Sequence, residues 1–401
     1  MEKNKNLTLT PPYTSVTMLS LQRENELLQN ILLSKIELFP RKIDKPVIIY
    51  GAGSLGKMAK DFFRCLDIPF LYVVDKNASK YKTDEHWQNV EIIHPDDVKK
   101  TDKEDCLLVV CIVTMPLMKL QDELKNNGWK DIAFFYDVSE TYRDRYPLNN
   151  GWFLGKFNDK EKESIEKVFY SLADDISRAY YTQFLAWRKL RIELLFDGFE
   201  INEDNRFFIP EITGVLKESE VFVDCGAHKG FVTEKFLKTV NNKYKAIYVI
   251  EPDYANFETL EARLRNIPNT TILKCALSSK NGEERFYQGF DFASKLSKNG
   301  NDLAKTVMLD SLNIKATFIK MHLEGGELDA LQGAVNTIQE YRPILVITIY
   351  HNSDGVWRIP LFLINNTKNY KYHMRLHSWG GTGAVFYAIP EEKIKNAQAS
   401  L

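Results

Sequence analysis

Two stretches of this 401-residue chain put glycines, acids and imidazoles where they could do chemistry. The first is Asp224-Cys225-Gly226-Ala227-His228-Lys229-Gly230, preceded by the apolar run Val221-Phe222-Val223. Glycines let a backbone turn tightly and approach a ligand, and the helix after such a loop offers free N–H groups. An acid, Asp224, closes the strand. A carboxylate there repels a pyrophosphate and attracts a cationic amino-acid end, which fits S-adenosylmethionine (SAM). Glu251-Pro252 closes the next strand, where an acid can accept hydrogen bonds from a ribose diol. Lys274 to Ser278, with Ala276 at its centre, follows the third strand, where an adenine would lie. Asp224, Gly226, Ala227, Gly230, Glu251 and Ala276 are therefore the candidate cofactor contacts.

The second stretch is Phe318-Ile319-Lys320-Met321-His322-Leu323-Glu324. A central parallel strand is normally apolar on both faces, so Lys320, His322 and Glu324 need partners or water. His322 suits a general base because imidazole titrates near neutrality, and Glu324 can orient it or bind the acceptor. His351, just past the fifth strand, is the rival base, and His377 reads as a substrate or loop residue. His322, Glu324 and His351 could together ligate a metal, but nothing in their spacing requires one, and none is expected. Phe286, Tyr287, Phe290, Phe292 and Trp379 could stack on an acceptor ring.

A separate loop, Gly51-Ala52-Gly53-Ser54-Leu55-Gly56, follows the strand Val47-Ile48-Ile49-Tyr50, with Asp75 about 20 residues beyond Gly53. This matches the dinucleotide fingerprint. Gly51, Gly53, Gly56 and Asp75 are candidate contacts for NAD(P), a sugar nucleotide or no ligand at all. A Tyr-x-x-x-Lys dyad would favour redox work, but Leu107 to Lys125 contains no tyrosine, so NAD(P) is not favoured.

These loops need two sheets to hold them, and a chain of this length is long enough for two domains. Hydrophobic residues make up 44% and charged residues 27%, as in an ordinary globular protein, and the net charge of −1 argues against a nucleic-acid partner. No apolar run reaches membrane-spanning length. The polar start of the chain lacks a signal peptide's apolar stretch, and the five cysteines, 65, 106, 111, 225 and 275, form no C-x-x-C pair. Free thiols in a reducing cytoplasm follow.

Residues 1–17 read as disordered. Leu19 to Leu38 has helical spacing, so 1–44 is a tail plus an amphipathic helix, for which packing on its own domain is favoured over pairing with a second copy. Strands alternating with helices over 45–140 imply a small parallel α/β domain, and 141–159, with Pro147, Gly151 and Gly155, reads as a linker. A helical region, 160–215, leads into a second βα series over 216–390 with seven strands. Residues 391–401 read as a fraying tail.

In the second half, Val223 to Gly230 with Thr233, Val249-Ile250-Glu251-Pro252, Ala276-Leu277-Ser278, Leu309 to Leu312, Phe318 to Glu327, Leu331 to Ala334 and Arg342 to Leu345 resemble the FkbM family of methyltransferases. The resemblance spans roughly 160–390 and is densest over 221–350. It implies a class I Rossmann-like methyltransferase domain with a seven-stranded sheet, preceded here by a smaller Rossmann-like α/β domain. It also implies SAM as cofactor, Thr233 in its site, and O-methylation of a sugar hydroxyl in a bacterial glycan or natural-product pathway. One position departs: the family pattern is Lys-x-Asp-x-Glu-Gly, whereas this chain has His322 in place of that acid. A base or metal role of the acid therefore does not transfer by resemblance. The rival readings are a nucleotide-sugar or NAD(P) enzyme working through the N-terminal domain, and a non-catalytic assembly module.

Overall fold

The computed structural model describes residues 13–16, 20–196, 201–289 and 293–398. The disorder expected over 1–12 and at Thr17, the rings of Phe290 and Phe292, and the last three residues of the expected tail lie outside these.

The N-terminal sheet has five parallel strands. Their spatial order is Ile92–Ile93, Phe70–Val74, Val47–Tyr50, Leu107–Val110, Asp131–Phe134. Val47–Tyr50 and Leu107–Val110 are buried throughout, as strands covered on both faces must be. The chain turns helical at Phe135–Thr141 rather than extending the last strand to Tyr136.

The C-terminal sheet has seven strands: Val221–Cys225, Ala246–Ile250, Thr270–Leu273, Phe318–Met321, Ile344–Thr348, Tyr370–Leu376 and Ala384–Pro390. Numbered along the chain, they lie in the order 3-2-1-4-5-7-6. The last strand runs antiparallel to its neighbours and the others run parallel. The order reverses between the first and fourth strands, and open α/β sheets bind ligands at the carboxyl ends of strands beside such a reversal. Between the third and fourth strands the chain builds a small second sheet, from Ala276–Leu277, Gly282–Tyr287, Lys295–Leu296 and Asp302–Val307, which the sequence pattern does not anticipate.

Four expectations need correction. Tyr13–Val16, read as disordered, is a strand paired in parallel with Glu193–Phe196, itself a strand inside the supposedly helical 160–215. The amphipathic helix Leu21–Leu33 does not pack on its neighbouring domain. Its apolar stripe of Leu27, Leu28, Ile31 and Leu32 joins the core of the C-terminal half, beside helix Asp175–Leu190. The tail is helical over Glu391–Gln398 and is pinned by Lys393, whose ammonium lies 3.2 Å from both oxygens of Glu220.

The fourth correction concerns the linker. Trp152, Leu154 and Phe157 are buried. Trp152 stacks on Tyr136 with ring centres 4.1 Å apart, and the Arg188 guanidinium lies 3.9 Å over its ring. Arg188 is buried without a carboxylate among the described residues. It donates instead to the carbonyls of Gly151, Trp152, Tyr350 and Gly381. Glu193, also buried, accepts the N–H groups of Leu117 (2.7 Å) and Met118 (3.0 Å) at the start of an N-domain helix. The two α/β units are joined by a packed, hydrogen-bonded seam.

Candidate active site

A cleft of about 240 Å³ opens at the carboxyl ends of the first, second and fourth strands of the C-terminal sheet. Gly226, Ala227 and His228 form one wall, and Glu251 and Pro252 the next. Cys275, Ala276, Leu277 and Phe286 form an apolar slot. The loop is held by its own backbone: Gly226 and Ala227 both donate to the Ile250 carbonyl. Gly226 has φ +70°, and a Cβ there would collide with the His322 carbonyl oxygen. Gly230, at φ +86°, starts the helix Phe231–Thr239 and abuts Leu260.

Glu251 accepts the His228 N–H at 2.7 Å and the Asp253 N–H at 3.0 Å. Burial outweighs these two bonds and pushes its carboxyl up to about 7. Each oxygen has lone-pair capacity left for a further donor. The residues present fit an adenosyl ligand: an acid for the diol, an apolar slot for the purine, and a glycine turn that admits close approach.

Asp224 requires a correction. It is 0% exposed and lies beneath the cleft floor rather than in its lining. Lys320 stands opposite it in register on the neighbouring strand. Its ammonium donates to Asp224 at 2.8 Å, and Thr233 donates to the other carboxylate oxygen at 2.7 Å. Lys320 also donates to the Gly226 carbonyl at 2.8 Å. The acid of the motif thus fixes Lys320, and through it the loop. Both Asp224 oxygens are thus engaged from within the chain, by Lys320 and Thr233, and Gly230 starts the helix that follows the loop.

The fourth and fifth strands deliver the second cluster. Met321 ends its strand, and the chain then turns through Glu324 (φ +50°) and Gly325 (φ +106°). His322 Nε2 lies 3.0 Å from Glu324 Oε1 and 3.2 Å from the Tyr350 hydroxyl. His351 Nε2 lies 3.3 Å from Glu324 Oε2, and its Nδ1 lies 2.7 Å from Glu327 Oε1. The two imidazoles stack with centres 5.0 Å apart. His322 and Glu324 line the cleft, whereas His351 sits behind them.

The charges of this cluster follow from its geometry. Burial, reinforced by Arg206, pushes His322 down to about 3 against the pull of Glu324, so it stays neutral. The expectation that His322 titrates near neutrality is thereby corrected. Burial also opposes charge on His351 and on Glu324, but their mutual attraction prevails. Glu324 is held below the usual carboxylate range, and His351, between Glu324 and Glu327, well above the imidazole range. A protonated His351 has no lone pair with which to take a proton.

Several groups at this end were not singled out from the sequence. Arg206 reaches the Tyr350 hydroxyl at 2.7 Å. Lys295, buried and lowered to about 8 by that burial, reaches Asn150 Oδ1 at 3.2 Å. Asn150, in the strap read as a linker, donates its N–H to the His351 carbonyl at 2.8 Å. No motif surrounds these residues; only the polar strand 318–324 hinted that partners must exist.

Other candidates fall elsewhere. His377 is buried between the Asn202 carbonyl and the Tyr387 hydroxyl (2.7 Å), and burial lowers it to about 4. Phe286 lines the cleft, while Tyr287 and Trp379 lie outside its lining. In the N-terminal loop, Asp75 accepts the N–H groups of Ala52 and Asn77, one on each oxygen and both at 2.7 Å. Gly56 packs onto the Gly51 carbonyl, and the Trp87 indole donates to the Ala52 carbonyl at 2.9 Å. The loop's acid thus braces the loop itself. Four of the five cysteines are buried, and all five are free thiols.

Residues 224–374 match the family described as the Methyltransferase FkbM domain. The solved structure of methyltransferase FkbM from Methylobacillus flagellatus KT covers 92% of this chain and 98% of its own, with a TM-score of 0.61 at 19% identity. The likeness of fold therefore extends over both halves. Precorrin-6y C5,15-methyltransferase from Geobacter metallireducens GS-15 (TM-score 0.29, 13% identity, 48% of this chain and 95% of that one) is a weaker match. So is Aeropyrum pernix fibrillarin in complex with natively bound S-adenosyl-L-methionine (0.29, 12%, 43% and 67%), and neither score is high enough to bear on the fold. Comparison with curated proteins found no match. No helix among the described residues is long and apolar enough to cross a membrane.

Proposed function

We propose, from the match of residues 224–374 to the Methyltransferase FkbM domain, that this chain is a SAM-dependent methyltransferase that methylates a hydroxyl oxygen of a glycan or an activated sugar. The observation that carries the reading is that the glycine loop, Glu251, Ala276, His322 and Glu324 all line one cleft. Bound SAM would supply a methyl group on a sulfonium: the acceptor hydroxyl oxygen takes the methyl in line, the thioether leaves, and the hydroxyl proton passes to Glu324 or solvent water.

The chain's own contribution is to hold both partners. Glu251 accepts the ribose hydroxyls, and Pro252, Ala276, Leu277 and Phe286 enclose the purine. Gly226 and Ala227, kept in place by Lys320 on Asp224, let the backbone close on the ligand. At the other end, neutral His322 and ionised Glu324 face the acceptor, with Arg206 and Lys295 beside them as donors for its oxygens. Alignment in such a cleft supplies much of the rate. His351 serves by fixing Glu324 rather than as the base. Five free thiols support a cytoplasmic place of action.

The test is transfer from labelled SAM to a panel of saccharides and nucleotide sugars, with the product identified by mass spectrometry. Label on a sugar oxygen is the expected result; label on nitrogen, carbon or sulfur overturns the acceptor class. Glu324→Gln and His322→Ala should lower turnover by roughly 10²–10⁴-fold while leaving the affinity for S-adenosylhomocysteine nearly unchanged.

A further inference from the structure

The cluster of His322 and Glu324 in the cleft wall with His351 behind them is built like a ligand set. His322 Nε2, a Glu324 oxygen and His351 Nε2 all lie within 4.8 Å of one another. They come from the turns after two adjacent strands, and the stacked rings bring both imidazole nitrogens to one carboxylate, one nitrogen per oxygen.

The orientation of His351 is set from behind. Glu327 accepts from the Leu323 N–H (3.0 Å), the Gly325 N–H (3.0 Å) and the Thr348 hydroxyl (2.8 Å), so it is an acceptor throughout, and His351 Nδ1 is the donor to it. A histidine whose Nδ1–H is held by a carboxylate presents Nε2 as a directed ligand. His351 is only 4% exposed, and its Nε2, though 3.3 Å from Glu324, makes no hydrogen bond. A buried imidazole nitrogen that faces a carboxylate in this way can exchange its proton for a cation that both groups ligate.

Glu324 is held at φ +50°, a conformation that side-chain-bearing residues seldom adopt. Its neighbour Gly325 is pinned against the Asn150 amide. Arg206 and Lys295 are turned to Tyr350 and Asn150, and among the described residues neither forms an ion pair with Glu324. The other cluster of acids and a histidine, Asp174, Glu211 and His373, differs: the Arg375 guanidinium already bridges its two carboxylates.

We propose that His322, Glu324 and His351 bind one divalent first-row transition cation, which displaces the Nε2 proton of His351 to solvent, with its remaining coordination positions open to the cleft. Two imidazoles and one carboxylate suit zinc, cobalt or iron(II) better than magnesium or calcium, which prefer all-oxygen shells. The positions left open face the place where an acceptor hydroxyl would dock, and a cation-bound hydroxyl would give up its proton to solvent water more readily. The metal-binding claim does not depend on the identity of the acceptor.

The experiment uses tag-free, full-length protein stripped with a chelator and titrated with Co²⁺, read by visible absorption and calorimetry. One equivalent should bind, with X-ray absorption at the cobalt edge showing two imidazoles. Glu324→Gln and His322→Gln, each checked for native circular dichroism, should weaken binding by at least ~100-fold, the upper end of what losing even an outer-shell partner costs. His373→Gln should leave binding unchanged. The proposal is overturned if the wild type takes up no stoichiometric Co²⁺, if fewer than two imidazoles are found, or if the folded variants bind as before. Loss of binding in His373→Gln alone would move the ion to the other cluster and equally refute it.

Discussion

Glu251 makes the adenosyl side of the cleft testable through pH. Its carboxyl is pushed up to about 7 in the free protein, chiefly because it is buried against only two backbone N–H donors. A ribose diol donates hydrogen bonds and is best met by the ionised form. Ligand binding should therefore expel the proton, and affinity should rise with pH. With a titration point near 7, the ionised fraction is ~0.1 at pH 6 and ~0.9 at pH 8, and apparent affinity scales with the competent fraction. S-adenosylhomocysteine should thus bind about tenfold more tightly at pH 8 than at pH 6. Calorimetry in two buffers of different ionisation enthalpy should also register close to one proton released at pH 6 and ~0.1 at pH 8. Glu251→Gln should bind more weakly at pH 8 and lose the slope. An affinity that is flat with pH in the wild type, or an unchanged slope in Glu251→Gln, would refute the assignment of this carboxylate to the ribose.

Three further outcomes follow from the same geometry. Lys320→Met should destabilise the fold by roughly 3–5 kcal/mol, because it strands a buried carboxylate; Asp224→Asn added to it should restore part of the loss, as a denaturant double-mutant cycle would show. Gly226→Ala should abolish adenosyl binding and lower the melting temperature, since φ +70° and the His322 carbonyl leave no room for a methyl group; calorimetry and a thermal melt check both. A fragment starting at Asn158 should be less soluble or melt earlier than the full chain, because it loses Trp152, Asn150 and the helix start that Glu193 caps. A fragment as stable as the parent would show that the seam adds nothing.

The parts of the site that the sequence revealed are those whose geometry is local. Gly226, Ala227 and Glu251 could be read because a βα turn fixes its own shape, so the spacing of glycine and acid is nearly a description of the loop. The seven strands and the closing pair could be read because apolar runs alternate with helical spacing through most of 221–390. Asp224 was misjudged because its partner depends on strand register: Lys320 is remote in sequence and becomes its neighbour only when the first and fourth strands pair. The linker was misjudged because Pro147, Gly151 and Gly155 report irregular backbone, not exposure. The apolar Trp152, Leu154 and Phe157 between them carried the better signal. Arg206, Lys295 and Asn150 could not be found from sequence at all, since each reaches the cleft from a segment without a repeating pattern.

Arg188 carries a consequence for the order in which this molecule assembles. Its guanidinium is satisfied by carbonyls 36 to 193 residues away along the chain, at Trp152, Gly151, Tyr350 and Gly381. Closing loops of that length is a late and entropically costly event in folding. Tyr350 immediately precedes His351, so the acceptor end of the cleft takes its final shape only when the Gly381 turn arrives. A nascent chain still lacking its last two strands can possess a formed adenosyl loop, yet it has no finished active site. The Arg188 guanidinium gains its full set of acceptors only when the hairpin of Tyr370–Leu376 and Ala384–Pro390 docks and brings the Gly381 carbonyl to it.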